Sequence, residues 1–255
     1  MQTLTHKDLL DAGCHFGHLK KKWNPKMRPY IFAERNGIHV IDLHATLTGL
    51  EQAAKALRSM AKAGKRILFV GTKKQSREII ANAAKSVGMP YVTERWLGGM
   101  MTNFTTLRKS VRKMQNIQRL LADTSLETIT KKERLMQSRQ YEKLERMFGG
   151  IAQLSKLPNT VIAVDVSHEH LALAESRRLG LKTIGIVDTN SDPAAVDFAI
   201  PANDDASKSI SLIINYLTAA IKEGLDERKN KEEQPATETV AAETVAVEAT
   251  EKPAE

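Results

Sequence analysis

Cys14-His15-Phe16-Gly17-His18 places a thiol and two imidazoles within five residues, donors that suit a metal ion. Zinc signatures normally supply two such pairs, and Cys14 is the only cysteine in the sequence. Completing a site therefore falls to carboxylates. Asp188, Asp204 and Asp205 each follow an expected strand, which gathers them at the carboxyl edge of a sheet. A divalent ion, magnesium or zinc, held by His15 or His18 with these acids is one reading; loop caps and hydrogen-bonded turns are the plainer one. No motif demands a cofactor. His168-Glu169-His170 lacks the i, i+4 spacing of a helical zinc pair and reads as a helix start. A nucleophilic Cys14 would need a base that nothing in the sequence identifies, so a small buried residue is expected there.

Phosphate chemistry has one candidate. Neither a Gly-x-Gly-x-x-Gly run nor a Gly-x-x-x-x-Gly-Lys-Ser/Thr loop is present. Gly71-Thr72-Lys73-Lys74-Gln75 instead lies between an expected strand and an expected helix, where doubly wound folds bind phosphate on free backbone N–H groups. Lys73 and Lys74 there suit a phosphorylated metabolite, an RNA backbone phosphate, or simply water.

The basic stretches carry the strongest signal. Lys20, Lys21, Lys22, Lys26, Arg28 and Arg35 crowd one irregular arm with Trp23, Tyr30 and Phe32 between them. Lysines suit phosphates, and flat rings suit exposed bases or ribose. Arg108, Lys109, Arg112 and Lys113 are spaced to share adjoining faces of one helix. Arg95 opens the unusual run Trp96-Leu97-Gly98-Gly99-Met100-Met101-Thr102-Asn103-Phe104, whose glycines permit positive φ or close backbone approach. This run reads as an apolar plug or a partner surface. A solvated face is the plain alternative for each basic run, and their number favours a large RNA.

Composition narrows the partner. Over 255 residues, 38 Lys+Arg face 30 Asp+Glu, a net +8. From Asp226 onward nine acids face four bases, leaving 34 bases and 21 acids, a net +13, in the first 225 residues. So basic a body meets phosphate, on nucleic acid or an anionic membrane. Hydrophobic residues at 42% support a real core, and aromatics at 5% argue against a binder built mainly on base stacking. One cysteine excludes an intrachain disulfide. The first eleven residues do not read as a signal peptide, and no run approaches the roughly 20 apolar residues of a membrane span. A cytoplasmic location is expected.

These residues need elements to position them. A capping box from Thr5 to Asp8 starts a short helix ending near Gly13; Pro25 and Pro29 then keep the basic arm irregular. Ile38–Leu43 reads as a strand, Thr46–Lys62 as a helix, Arg66–Gly71 as a buried strand, Gln75–Val87 as a helix and Tyr91–Thr93 as a short strand. Two long helical patterns follow, Phe104–Ala122 and Lys131–Leu154, joined by a turn around Asp123–Thr130. Each arm would reach roughly 30 Å, and eleven bases against five acids lie between Arg108 and Arg146. Strands at Thr160–Val166, Thr183–Val187 and Phe198–Pro201 alternate with helices at His168–Leu179 and Ser207–Glu223. The expected fold is α/β: a three-layer parallel sheet wrapped by helices, with an inserted antiparallel coiled-coil hairpin at about 104–154. The body spans residues 1–225 with its arm at 1–37, and a disordered acidic tail covers 226–255.

Ala12–His18, Trp23–Met27, Asn36–His39, Phe69–Gln75, Arg95–Gly99, Val187–Asn190 with Asp192-Pro193, and Ile200–Ala206 occur in an order that resembles the bacterial form of small-subunit ribosomal protein two, over about residues 2–225. The resemblance implies a Rossmann-like or flavodoxin-like sheet of about five parallel strands. It implies a non-catalytic structural role at the head–body junction of the small ribosomal subunit, in translation and in late assembly. The implied partners are small-subunit ribosomal RNA, neighbouring small-subunit proteins and ribosomal protein one. Cys14 stands where the family usually has a small apolar residue.

Overall fold

The computed structural model describes residues 4–122 and 130–248. Thr5 caps α1 (His6–Asp11) through the expected box with Asp8. Next come β1 (Phe16–Leu19), β2 (Ile31–Arg35) and β3 (Ile38–Ile41), then α2 (Leu43–Lys62), β4 (Ile67–Val70), α3 (Arg77–Ser86) and β5 (Tyr91–Val92). α4 (Phe104–Ala122) and α5 (Lys131–Phe148) follow, and β6 (Thr160–Val164), α6 (His170–Arg178), β7 (Lys182–Val187), β8 (Phe198–Pro201) and α7 (Ser207–Glu248) complete the order.

Aliphatic runs without polar interruption make strands buried on both faces. β4 and β6 are buried at every position, and so is β7 beyond Lys182. The parallel sheet has the order β5-β4-β6-β7-β8. Ranked by position in the chain this is 2-1-3-4-5, the flavodoxin-like order, with its switch point between β4 and β6. Alternation along β4 divides the core. Ile67 and Phe69 face the cluster built by α2, α3 and α7, while Leu68 and Val70 face the apolar root of α4 and α5. This is the expected three-layer α/β fold.

α4 and α5 share that second cluster through Leu107, Val111, Met114 and Phe148. Arg134, near the start of α5, donates to the Leu121 carbonyl at the end of α4 (3.3 Å), and Arg108 donates to the Leu154 carbonyl (2.8 Å). The two helices therefore run in opposite directions. The apolar stripe expected on α5 is buried only towards the body. Leu135 and Met136 are exposed, because away from the sheet two helices have no third layer to bury against. α5 ends at Phe148, six residues before the expected end at Leu154, and a 3-10 turn covers Gly149–Ile151. The turn expected at Asp123–Thr130 lies, except for Thr130, outside the described residues.

Three expectations are corrected. The arm 1–37 is not an irregular extension: β1, β3 and β2 form a separate antiparallel sheet, joined by 3-10 turns at Lys20–Lys22 and Pro25–Tyr30. Ile38–Ile41 belongs to this small sheet and not to the parallel one. Asn36 (φ 53°) and Gly37 (φ 75°) make its hairpin, since two-residue loops of this kind need positive φ at both positions. Third, α7 does not stop at Glu223 and continues as helix to Glu248. The Glu- and Ala-rich sequence there has little to bury; the packed first part of the helix supplies the nucleus from which it extends, and Pro235 within it forfeits one intrahelical hydrogen bond. The last residues of the tail, 249–255, lie outside the described residues.

The small sheet docks on the carboxyl edge of the large one. Asn24 N–H donates to the Thr189 carbonyl (2.7 Å), and Asn203 N–H donates to the Cys14 carbonyl (3.1 Å). His18 N–H donates to Thr189 Oγ1 at 2.8 Å. Gly17 makes that approach possible, because a Cβ there would lie 2.6 Å from Thr189 Cγ2 and 3.0 Å from the His39 carbonyl. Gly17→Ala is expected to destabilise the fold by about 1–3 kcal/mol, read as a lowered Tm in thermal unfolding. An unchanged Tm would mean that the arm is not seated this way.

Candidate nucleic-acid interface and carboxylate cluster

Lys73 leaves β4 at the switch point and turns inward. Its Nζ lies 3.1 Å from Asp165 Oδ2, 2.9 Å from Asp204 Oδ1 and 2.6 Å from Asp205 Oδ1. Asp165 follows β6 with a φ of 67°, a left-handed conformation that Asp tolerates better than most residues. It also accepts the His168 N–H at 3.0 Å. Thr72 donates its N–H and its hydroxyl to Glu169 Oε1, both at 2.7 Å. Burial raises Glu169 above the ordinary carboxylate range despite these two bonds.

His18 closes the cluster from β1. Its Nδ1 lies 3.0 Å from Asp188 Oδ2 and its Nε2 lies 3.4 Å from Asp205 Oδ2. The hydrogen bond to Asp188 raises its pKa against the opposing effect of burial. Ligand atoms of His18, Asp188 and Asp204 all lie within 4.8 Å of one another. Asp204 is fully buried, and its Oδ2 has no hydrogen-bond partner. Burial, with Asp165 and Asp188 nearby, pushes its pKa up to about 7. Lys73 is lowered by its own burial, but the bonds to Asp204 and Asp205 outweigh this and raise it.

The structure thus gathers His18, Asp188, Asp204 and Asp205, and leaves His15 out. His15 stacks against Phe16 with ring centroids 4.0 Å apart, and its buried Nδ1 is unpartnered. Cys14 is buried, and burial raises its thiol pKa, so it is no nucleophile. Lys73 is committed to carboxylates. A phosphate in the crevice beside it would face three of them at contact range, which opposes a phosphorylated-metabolite site.

The remaining basic residues are outside. Lys21, Lys22, Arg28, Arg35, Lys74, Arg95, Lys109, Arg112 and Lys113 are exposed and have no ion-pair partner among the described residues. Lys20 pairs with Glu34 (2.8 Å) and Lys26 with Asp192 (2.6 Å). Arg108 is half-buried on its carbonyl partner. Trp23 is half-buried with its ring 5.3 Å from that of buried His39, whereas Phe32 is 78% exposed beside the basic arm. Asp165, Glu169 and Glu175 escaped sequence reasoning. Asp165 and Glu169 stand just past the end of β6, where a carboxylate at a strand end was a usable signal. Asn36-Gly37 likewise announced the hairpin that makes the arm a sheet.

Comparison with known proteins decides the family. Residues 9–224 match the Ribosomal protein S2 family. The chain belongs to the ribosomal protein S2 family. A relative named small ribosomal subunit protein uS2 from Cytophaga hutchinsonii is 54% identical over 230 residues, covering 90% of this chain and 91% of its own. The uS2 of Bacteroides fragilis is 56% identical over 221 residues, covering 87% and 80%. That of Parabacteroides distasonis is 48% identical over 259 residues, covering 99% and 93%. Ribosomal protein S2 is a structural component of the cytoplasmic ribosome and not an enzyme. No helix among the described residues is long and apolar enough to cross a membrane.

The cluster gives a signed pH dependence. Between about 4 and 7 the folded chain keeps a proton on Asp204 that the unfolded chain releases, so stability falls as pH rises. His18, raised above 6.5 in the fold, contributes its stability below that value and loses it as pH rises through the raised one. In chelator, Tm is expected to fall across neutrality, and Asp204→Asn to flatten the fall; a slope unchanged in that variant would exclude Asp204 as its source. Lys73→Met, which strands the buried carboxylates, is expected to cost about 3–5 kcal/mol in denaturant unfolding.

Proposed function

We propose that this chain binds small-subunit ribosomal RNA as a structural component at the head–body junction, acting in subunit assembly and translation and supporting the docking of ribosomal protein one. The observation that carries the RNA reading is the segregation of charge. The carboxylates of the cluster are turned onto Lys73 within the fold, while nine exposed bases of the arm, the Gly71–Gln75 turn, the Arg95 loop and α4 have no acidic partner among the described residues. Bases held free of internal pairs are the ones that displace counterions from phosphate. The inserted α4–α5 pair, read as a coiled coil within one α/β body, projects part of this charge away from the sheet. Phe16, Leu19 and Phe32 are exposed on the small sheet at 53%, 53% and 78%, and large apolar side chains left in solvent suit a protein neighbour, for which ribosomal protein one or another small-subunit protein is our reading.

A divalent cation is the second reading, and the unpartnered Oδ2 of Asp204 favours it. One imidazole nitrogen with carboxylate oxygens is a donor set that zinc accepts readily and magnesium less so. Such an ion would assist folding and is not required for any chemistry. Zinc is expected to raise the Tm of chelator-treated protein, with Asp188→Asn abolishing the rise. An unmoved Tm at saturating zinc, and again at saturating magnesium, would exclude the ion.

For RNA, the endogenous protein is expected to cosediment with small subunits at low salt, and recovery at the top of the gradient would refute the assignment. Replacing both Lys21 and Lys22 by Ala is expected to reduce the slope of log affinity against log salt by about two units. Because Lys20 already pairs with Glu34, adding Lys20→Ala should change the slope less than either of the others.

A further inference from the structure

Glu175, on α6, holds together a loop that belongs to a different part of the chain. Its Oε1 accepts Trp96 Nε1–H (3.1 Å) and Gly99 N–H (2.8 Å). Its Oε2 accepts Met101 N–H (2.9 Å), Thr102 N–H (2.9 Å) and the Thr102 hydroxyl (3.1 Å). Five donors therefore converge on one carboxylate, more than its roughly four lone-pair directions accommodate singly. Gly99 has a φ of 86°, which aims its N–H into this nest at a backbone conformation that side chains disfavour. The loop so gathered leads within two residues into α4, and its buried Trp96, Met100 and Met101 share the cluster that seats Leu107, Val111 and Phe148.

The loop that leads into α4 is thus tied to a carboxylate on the helix between β6 and β7. The bond from Arg108 to the Leu154 carbonyl joins the two ends of the hairpin to each other, so among the described residues the polar tie between the pair and the body is the Glu175 nest, while the packing of Leu107, Val111 and Phe148 on Leu68 and Val70 is apolar and non-directional. α4 has 19 residues, about 28 Å of helix, so a tilt of about 10° at the root would carry its far end roughly 5 Å. A displacement of that size breaks the match between side-chain positions and a phosphate backbone.

We propose that Glu175 is the positioning residue that fixes the direction of the α4–α5 pair, so that Lys109, Arg112 and Lys113 meet RNA in register only while this carboxylate is seated in the Trp96–Thr102 loop. The inference rests on the RNA reading of the hairpin and adds a residue that never touches the RNA. An amide is no substitute. Glu175→Gln offers a single acceptor oxygen and turns an NH₂ group towards donors.

The test uses the full chain with spin labels at Gln52→Cys on α2 and Gln118→Cys on α4, both exposed, while native Cys14 is buried and unreactive. Glu175→Gln is expected to broaden the distance distribution between the labels and to weaken binding to small-subunit ribosomal RNA about tenfold, within the usual range of conformational coupling. Circular dichroism of the variant confirms that the sheet is folded, and Glu175→Asp, which keeps the charge, is expected to restore part of the affinity. A double-mutant cycle separates positioning from general damage. In the Glu175→Gln background, Lys109→Ala with Lys113→Ala should cost little further affinity, while Lys21→Ala with Lys22→Ala should cost its full amount. An unchanged distance distribution overturns the positioning role. Broadened distances with undiminished affinity overturn its link to RNA. If Lys109→Ala with Lys113→Ala has no effect in the native background, the RNA reading of the hairpin falls while the latch remains.

Discussion

Lys73 occupies the switch point of the parallel sheet, and the ammonium it brings there is met by Asp165, Asp204 and Asp205 from the ends of β6 and β8. Doubly wound sheets bind their ligands at this position because the loops after β4 and β6 diverge and leave a crevice. In this chain the crevice is filled from within. Four carboxylates, counting Asp188, gather around one lysine and one histidine. Removing the lysine would leave mutually repelling charges in a place that water reaches poorly. The small antiparallel sheet depends on the same cluster, since His18 of β1 is held by Asp188 and Asp205. A fold that often hosts catalysis has thereby become a scaffold, in which the usual ligand site joins the N-terminal segment to the body.

That use of charge explains the distribution of the rest. A body with a net charge of +13 over 225 residues repels itself, so several of its acids are sited as internal counterions. Lys20, Lys26, Arg58, Arg77 and Lys182 each take a carboxylate partner. What remains on the arm, in the Arg95 loop and on α4 is basic and without an ion-pair partner among the described residues. On the proposed RNA reading, phosphate would complete a charge balance that folding leaves open, and affinity of this origin weakens with salt.

The parallel sheet was legible because its strands are short aliphatic runs separated by amphipathic helices, a period that changes cleanly from two to 3.6. Phe198–Pro201 and Phe104–Ala122 fall where periodicity puts them. The arm was misread because two prolines and a lysine triplet dominate its local pattern, while the pairing of β1 with β3 is long-range information that no local window contains. Asn36-Gly37 was the one local cue to it. Asp188, Asp204 and Asp205 could be gathered from strand ends alone. Lys73 was assigned to phosphate because its approach to three acids depends on how β4, β6 and β8 lie side by side. His15 and His18 are equivalent by type, and only the tight passage of Gly17 against Thr189 selects which imidazole reaches the carboxylates.

The two carboxylate centres are built with opposite logic, and the difference bears on how the molecule behaves. At the switch point acids outnumber bases, so the cluster retains a demand for a proton or a cation, and Asp204 stays near neutrality in its titration. At Glu175 burial alone would raise the carboxyl, but the bonds from Thr102, Met101, Trp96 and Gly99 outweigh it and hold the group below the ordinary range. That anchor therefore keeps its charge throughout the range in which the first one changes. A folded-state pKa depressed in this way yields stability that is lost only as pH falls through it, well below neutrality. Around neutral pH the charge of the cluster beside the N-terminal sheet consequently changes while that of the hairpin root does not. Two basic surfaces on one body can then respond differently to the same conditions without any change in the sheet that carries them both.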